Sequence, residues 1–176
     1  SLENMFSWCI SLESVDFSHL NLKENKIKNM NYMFEFCINL AEVNFQGFNT
    51  HNVEEMRGLF SYCHALRKVD LSSMDTSNVK DMSCMFNECY SLLSLDLSNL
   101  NTNKVENMER MFQACYSLER LNLCSFNVNK NTNFYLAFFL SLRRDTEEQI
   151  RTNAITISLI HKKGNRPQPI ALLFCW

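Results

Sequence analysis

The feature that most constrains this chain is a period. Segments beginning MFEFCINLAEVNF at Met33, LFSYCHALRKVDL at Leu59, MFNECYSLLSLDL at Met85 and MFQACYSLERLNL at Met111 start 26 residues apart, and an earlier copy, MFSWCISLESVDF, starts at Met5. Cys37 follows Cys9 by 28 residues, whereas Cys63, Cys89 and Cys115 each follow the previous cysteine by 26, so the first connector, around HLNLKENKIK, holds two extra residues. A fixed period of this size means supersecondary units that bury apolar faces against one another. One unit alone carries too little apolar surface to offset the entropy of ordering its own backbone. The five copies occupy residues 1 to 132, and residues 133–176 form a divergent second region.

Within a copy two patterns adjoin. Val79, Met82, Met85, Phe86 and Cys89 recur at three- and four-residue steps, which predicts the inner stripe of a short helix, and Val53, Met56, Leu59, Phe60 and Cys63 repeat it one copy earlier. Asp75, Thr76, Ser77 and Asn78 supply oxygens where that helix would start, and Asp81 places a carboxylate in its first turn. Leu95 and Leu97 then alternate with Ser94, Asp96 and Ser98, which predicts a strand with its leucines inward. Strands entered from the same direction in every copy pair in parallel. The expected fold is an α/β repeat solenoid: an arc with a parallel sheet on the concave face and short helices on the convex face.

Leu92, Leu95, Leu97 and Leu100, matched by Leu66, Val69, Leu71 and Met74 and by Leu118, Leu121, Leu123 and Phe126, form the LxxLxLxxL order of a leucine-rich repeat. The usual Asn or Cys is displaced by one place, to Asn49, Asp75, Asn101 and Asn127. This shifted form, clearest in NVKDMSCMFNECYSLLSLDLSNLNTNKV from Asn78, resembles the BspA-type leucine-rich repeat of bacterial surface proteins and lipoproteins. The resemblance covers about three quarters of the chain and departs from the pattern in the tail. It implies a cell-surface or secreted location, no catalytic activity, and adhesion to matrix or host proteins.

Composition removes other classes. A net charge of −2 and a pI near 6.1 provide no basic footprint for nucleic acid or an anionic membrane surface. The longest apolar run, FYLAFFL at 134–140, is far shorter than the roughly 20 residues that cross a bilayer. The start, SLENMFSWC, has neither an initiator Met nor a signal-peptide pattern and suits a processed product or a piece of a longer protein. With three glycines there is no phosphate-cradling loop, and neither a nucleophile elbow nor HExxH occurs, so no enzyme, cofactor or metal site is expected.

Five of the eight cysteines, Cys9, Cys37, Cys63, Cys89 and Cys115, fall on the inward stripe and are expected to be core thiols, whereas Cys84 and Cys124 lie off it and are expected to be the reactive ones. Asp16, Asn44, Asp70, Asp96 and Asn122 form a column expected to serve solvation and local hydrogen bonding rather than a bound cation, in which repulsion between Asp70 and Asp96 would slightly raise one carboxyl pKa. The histidines share no motif. Trp8, Phe36 and Tyr62, with Tyr90 and Tyr116, suit packing between copies. In the tail, Phe134 and Phe138 continue the stripe, Ser141 and Arg144 break it, and AITISLI and IALLFCW suit a β-hairpin cap behind the helix start DTEEQ.

What changes from copy to copy is the strand face. Glu42, Asn44, Lys68, Asp70, Ser94, Asp96, Arg120 and Asn122 vary in charge beside constant leucines, which suits recognition of a protein partner. The expected function is a non-enzymatic interaction module using that face. A structural spacer or an intracellular scaffold is the alternative.

Overall fold

A computed structural model describes residues 1–19, 26–127, 132, 133 and 137. Its strands are β1 (Ser14–Asp16), β2 (Glu42–Asn44), β3 (Ser94–Asp96) and β4 (Arg120–Asn122). They form two separate two-stranded parallel sheets, with Val15 opposite Val43 and Leu95 opposite Leu121. Residues 68–70 of the third copy form no strand and join β2 only through a parallel bridge from Asp70 to Asn44.

Among the described residues there is no helix, so the expected α/β solenoid, with helices behind one continuous concave sheet, is not what this chain builds. The segments read as helix are runs of tight turns. In the second copy the amides of Met33, Glu35 and Cys37 donate to carbonyls three residues back, while those of Tyr32, Phe34 and Phe36 donate to Arg57, Leu59 and Ser61 of the next copy. A helix would use every one of these amides internally. Here alternate amides tie one copy to the next.

Residues in the left-handed region enforce this path. Asn4 and Trp8, Tyr32 and Phe36, Gly58 and Tyr62, Cys84 and Glu88, and Arg110 and Ala114 all have φ between +55° and +64°. A right-handed helix contains no such residue. Met82, Met85, Phe86 and Cys89 are buried all the same, so their spacing fits both structures.

The side chains assigned to the helix start have other roles. Asp81 lies on a second ladder, where parallel bridges run Asn29–Glu55–Asp81–Asn107–Asn133, and its Oδ1 accepts the Ser83 amide at 2.7 Å. Asp75 Oδ1 likewise accepts the Ser77 amide at 2.9 Å. Thr50 and Thr102, each 1% exposed, bond by their hydroxyls to the peptide groups of Asp75 and Asn127 in the following copy.

The core is a set of columns running through the copies. The rings of Phe6, Phe34, Phe60, Phe86 and Phe112 stack nearly parallel at 5.3, 5.6, 5.6 and 5.9 Å. Beside them the thiols of Cys37, Cys63, Cys89 and Cys115 lie 3.0–3.2 Å from the carbonyls of Phe6, Phe34, Phe60 and Phe86 in the preceding copies. Burial pushes the Cys37 thiol to about 11 and that of Cys115 to about 12, and raises Cys63 and Cys89 strongly. Cys9 departs from the expected column by being exposed. Its counterparts are covered by the copy ahead of them, and Cys9 belongs to the first.

On the surface, Lys28 and Lys80 both reach the Glu54 carboxylate, at 2.8 and 2.7 Å, and Glu106 continues that column. The bond from Lys28, followed by that from Lys80, holds the Glu54 carboxyl at about 2. The tail features at Phe134, Phe138, Ser141 and Arg144, the DTEEQ segment and the two β runs all lie outside the described residues.

Candidate protein-binding face

Alternation along each strand segment sorts its side chains. Val43, Val69, Leu95 and Leu121 point into the core and are at most 5% exposed. Glu42, Lys68, Asp70, Asp96 and Arg120 are exposed, and Asn44, Ser94 and Asn122 are half-buried.

Across the third to fifth copies this face opens into a shallow depression of about 570 Å³. Lys68, Asp70, Ser94, Asp96, Arg120 and Asn122 line it, so six of the eight residues chosen from the sequence come together. Glu42 and Asn44 are not part of it and sit on β2, one copy earlier. Ser72, Asn99 and Glu119 also line it and were missed. Glu119 immediately precedes β4, and Ser72 and Asn99 follow the strand positions, so extending the variable columns beyond the strand residues would have found all three.

The Asp/Asn column is a set of turn locks. The side-chain Oδ1 atoms of Asp16, Asn44, Asp70, Asp96 and Asn122 accept the amides two residues on, at 2.8, 2.9, 2.8, 2.9 and 3.1 Å. The expected upward shift from repulsion is overturned: Asp70 and Asp96 both lie below the usual carboxylate range. The Ser72 amide, then its hydroxyl, holds Asp70 down, and the Ser98 hydroxyl, then its amide, holds Asp96. Both carboxylates therefore stay ionised beside the Lys68 and Arg120 cations. The face has alternating charge, with apolar side chains at its base.

Elsewhere, His51 Nδ1 lies 2.8 Å from Asp75 Oδ2, and Asp75 is held at about 2, first by the Ser77 hydroxyl and then by His51. The aromatic strip does pack between copies. Trp8 stacks on Phe36 at 4.0 Å and Phe36 on Tyr62 at 4.1 Å. His64, not foreseen, stacks on Tyr90 at 4.4 Å and meets Tyr62 at 6.3 Å, so it joins the two halves of the strip. Among the described residues no three His, Cys, Asp or Glu side chains are placed to hold a metal ion, and no helix is long and apolar enough to cross a membrane.

No curated protein and no solved structure matches this chain. A family of Mycoplasma proteins of unknown function, DUF285, matches it twice, over residues 1–118 and over 28–148. The two matches overlap with their starts 27 residues apart, about one repeat, as a chain of near-identical copies allows. With more than half of its length matched in either alignment, the chain belongs to the DUF285 family.

Proposed function

We propose that the chain is a non-enzymatic interaction module that holds a protein partner on the face between the third and fifth copies. The observation that carries this reading is the depression itself, where Lys68 and Arg120 flank Ser94 while Asp70 and Asp96 stay ionised alongside. Fixed charges of both signs over an apolar base favour orientation and partner choice more than raw affinity. The resemblance to BspA-type repeats supports a surface-exposed or secreted setting with an adhesive role toward matrix or host proteins.

The test is capture of proteins from serum and matrix extract by immobilised chain. Lys68→Glu combined with Arg120→Glu should abolish specific capture without lowering the melting temperature, since both side chains are exposed. Undiminished capture by that variant would favour the spacer reading.

A further inference from the structure

The depression between the third and fifth copies has two ends of opposite sign. Ser94 and Asp96 on β3 stand opposite Arg120 and Asn122 on β4, and Lys68 and Asp70 hold the same two places in the third copy. One row across the copies is therefore Lys68, Ser94 and Arg120, the other is Asp70, Asp96 and Asn122, and both line the depression. Neighbouring strands lie about 4.8 Å apart, and residues two apart along a strand are separated by about 6.6 Å. A cationic row thus runs beside an anionic row at a distance set by the backbone.

The cations are not engaged elsewhere. Neither Lys68 nor Arg120 forms an ion pair among the described residues, whereas Lys28 and Lys80 share Glu54. Glu119 lines the cationic end without pairing to either of them. Asp70 and Asp96 each give Oδ1 to the turn amide two residues on, and both side chains remain exposed.

We propose that the depression takes an extended peptide segment lying over β3, with an acidic and a basic side chain two residues apart. The segment is the contact sequence of the protein partner proposed above, and its assignment rests on that binding face. Its acidic side chain meets Lys68, the Ser94 hydroxyl and Arg120, and its basic side chain meets Asp70 and Asp96. Spacing selects this class of ligand. In an extended chain, residues two apart face the same side at about 6.6 Å, which repeats the separation of the two rows, whereas adjacent residues face opposite sides. A free amino acid carries its ammonium and carboxylate on one carbon, too close together to reach both rows. A nucleic acid or an anionic membrane surface would meet Lys68 and Arg120 but be repelled by Asp70, Asp96 and Glu119.

The test is panning of phage-displayed random peptides on the immobilised full chain. Enriched peptides are expected to carry Asp or Glu two residues from Lys or Arg several-fold more often than the unselected library, with no such excess for adjacent pairs. Lys68→Glu combined with Arg120→Glu should remove the acidic member from the enriched set. Asp70→Asn combined with Asp96→Asn keeps the turn bonds, which Asn44 and Asn122 make through the same atom. That variant should retain the acidic preference and lose the basic one. Three results overturn the proposal: no enriched peptide, enrichment without the two-residue spacing, or the paired motif still selected by the Asn variant. If any of these occurs while Lys68→Glu with Arg120→Glu still abolishes capture from serum and matrix extract, the binding face stands and its partner is a folded surface. If capture is also undiminished, the face itself fails.

Discussion

The Thr76 hydroxyl holds the backbone of Asn101 in the next copy on both sides of its Cα, accepting the Asn101 amide at 2.8 Å and donating to the Asn101 carbonyl at 3.0 Å. The side chain is 1% exposed, so water cannot replace either bond. Thr76→Val keeps the shape and removes both bonds, and the cost of leaving buried polar groups unpaired is about 1–3 kcal/mol. Urea unfolding should show a destabilisation in that range; an unchanged midpoint would mean that the clamp carries no net stability.

Phe86 lies between Phe60 and Phe112 at 5.6 and 5.9 Å and is 0% exposed. Phe86→Ala should cost about 3–5 kcal/mol, as expected for a large ring removed from a closed core. Denaturant unfolding measures this directly, and a near-neutral result would show that the column repacks around the gap.

Gly58 has φ +59°, in line with Asn4, Tyr32, Cys84 and Arg110, so the backbone there accepts side chains in the other copies. What makes glycine necessary is the Tyr32 ring, whose Cδ1 would lie 2.5 Å from an added Cβ. Gly58→Ala should cost about 1–3 kcal/mol through displacement of that ring. Most of this cost should vanish in a Tyr32→Ala background, which a double-mutant cycle reads out. Equal costs in both backgrounds would place the strain in the backbone instead.

Glu54 supplies a pH dependence of known sign. Its carboxyl is held at about 2 against an ordinary value of 4.5. A folded-state pKa below the unfolded one gives stability that is fully present above pH 4.5 and is lost as the pH falls toward 2. The difference in melting temperature between the wild type and Glu54→Gln should therefore be present at pH 7 and close across that interval. A constant difference would show that the two lysine bonds are not responsible.

Thiol chemistry follows burial. Cys9 and Cys124 are exposed and should label first, while half-buried Cys84, whose pKa is raised mainly by burial, should label more slowly. Cys37, Cys63, Cys89 and Cys115 should stay unlabelled without denaturant. Labelling of Cys63 at the rate of Cys124 would mean that the copies open in the native state.

The period was legible because Phe34, Phe60, Phe86 and Phe112, and the thiols beside them, do the same job in every copy, and identical jobs leave identical letters. The local backbone was not legible. Met82, Met85, Phe86 and Cys89 satisfy helical spacing, yet Cys84 and Glu88 between them have φ of +55° and +59°, a conformation for which neither residue type is a signal. The outward positions of the strand segments followed from alternation alone, and six of those residues meet in one depression. The local hydrogen bonding of the Asp/Asn column was legible, but the direction of its pKa shift was not, because Asp70 serves its own turn, through Ser72, before it can repel any neighbour. His64 gave no pattern to read, since its place in the aromatic strip exists only once Tyr62 and Tyr90 are stacked around it.

Lys28, Glu54, Lys80 and Glu106 stand at the same place in successive copies, with alternating sign. A chain made of near-identical segments can miscount during folding by looping one out and joining its neighbours. Skipping the third segment here would set Lys28 against Lys80 with Glu54 removed from between them, and skipping the fourth would set Glu54 against Glu106. An exposed pair adds little to stability, but the alternation makes odd-numbered omissions repulsive, and so acts as a parity check on assembly.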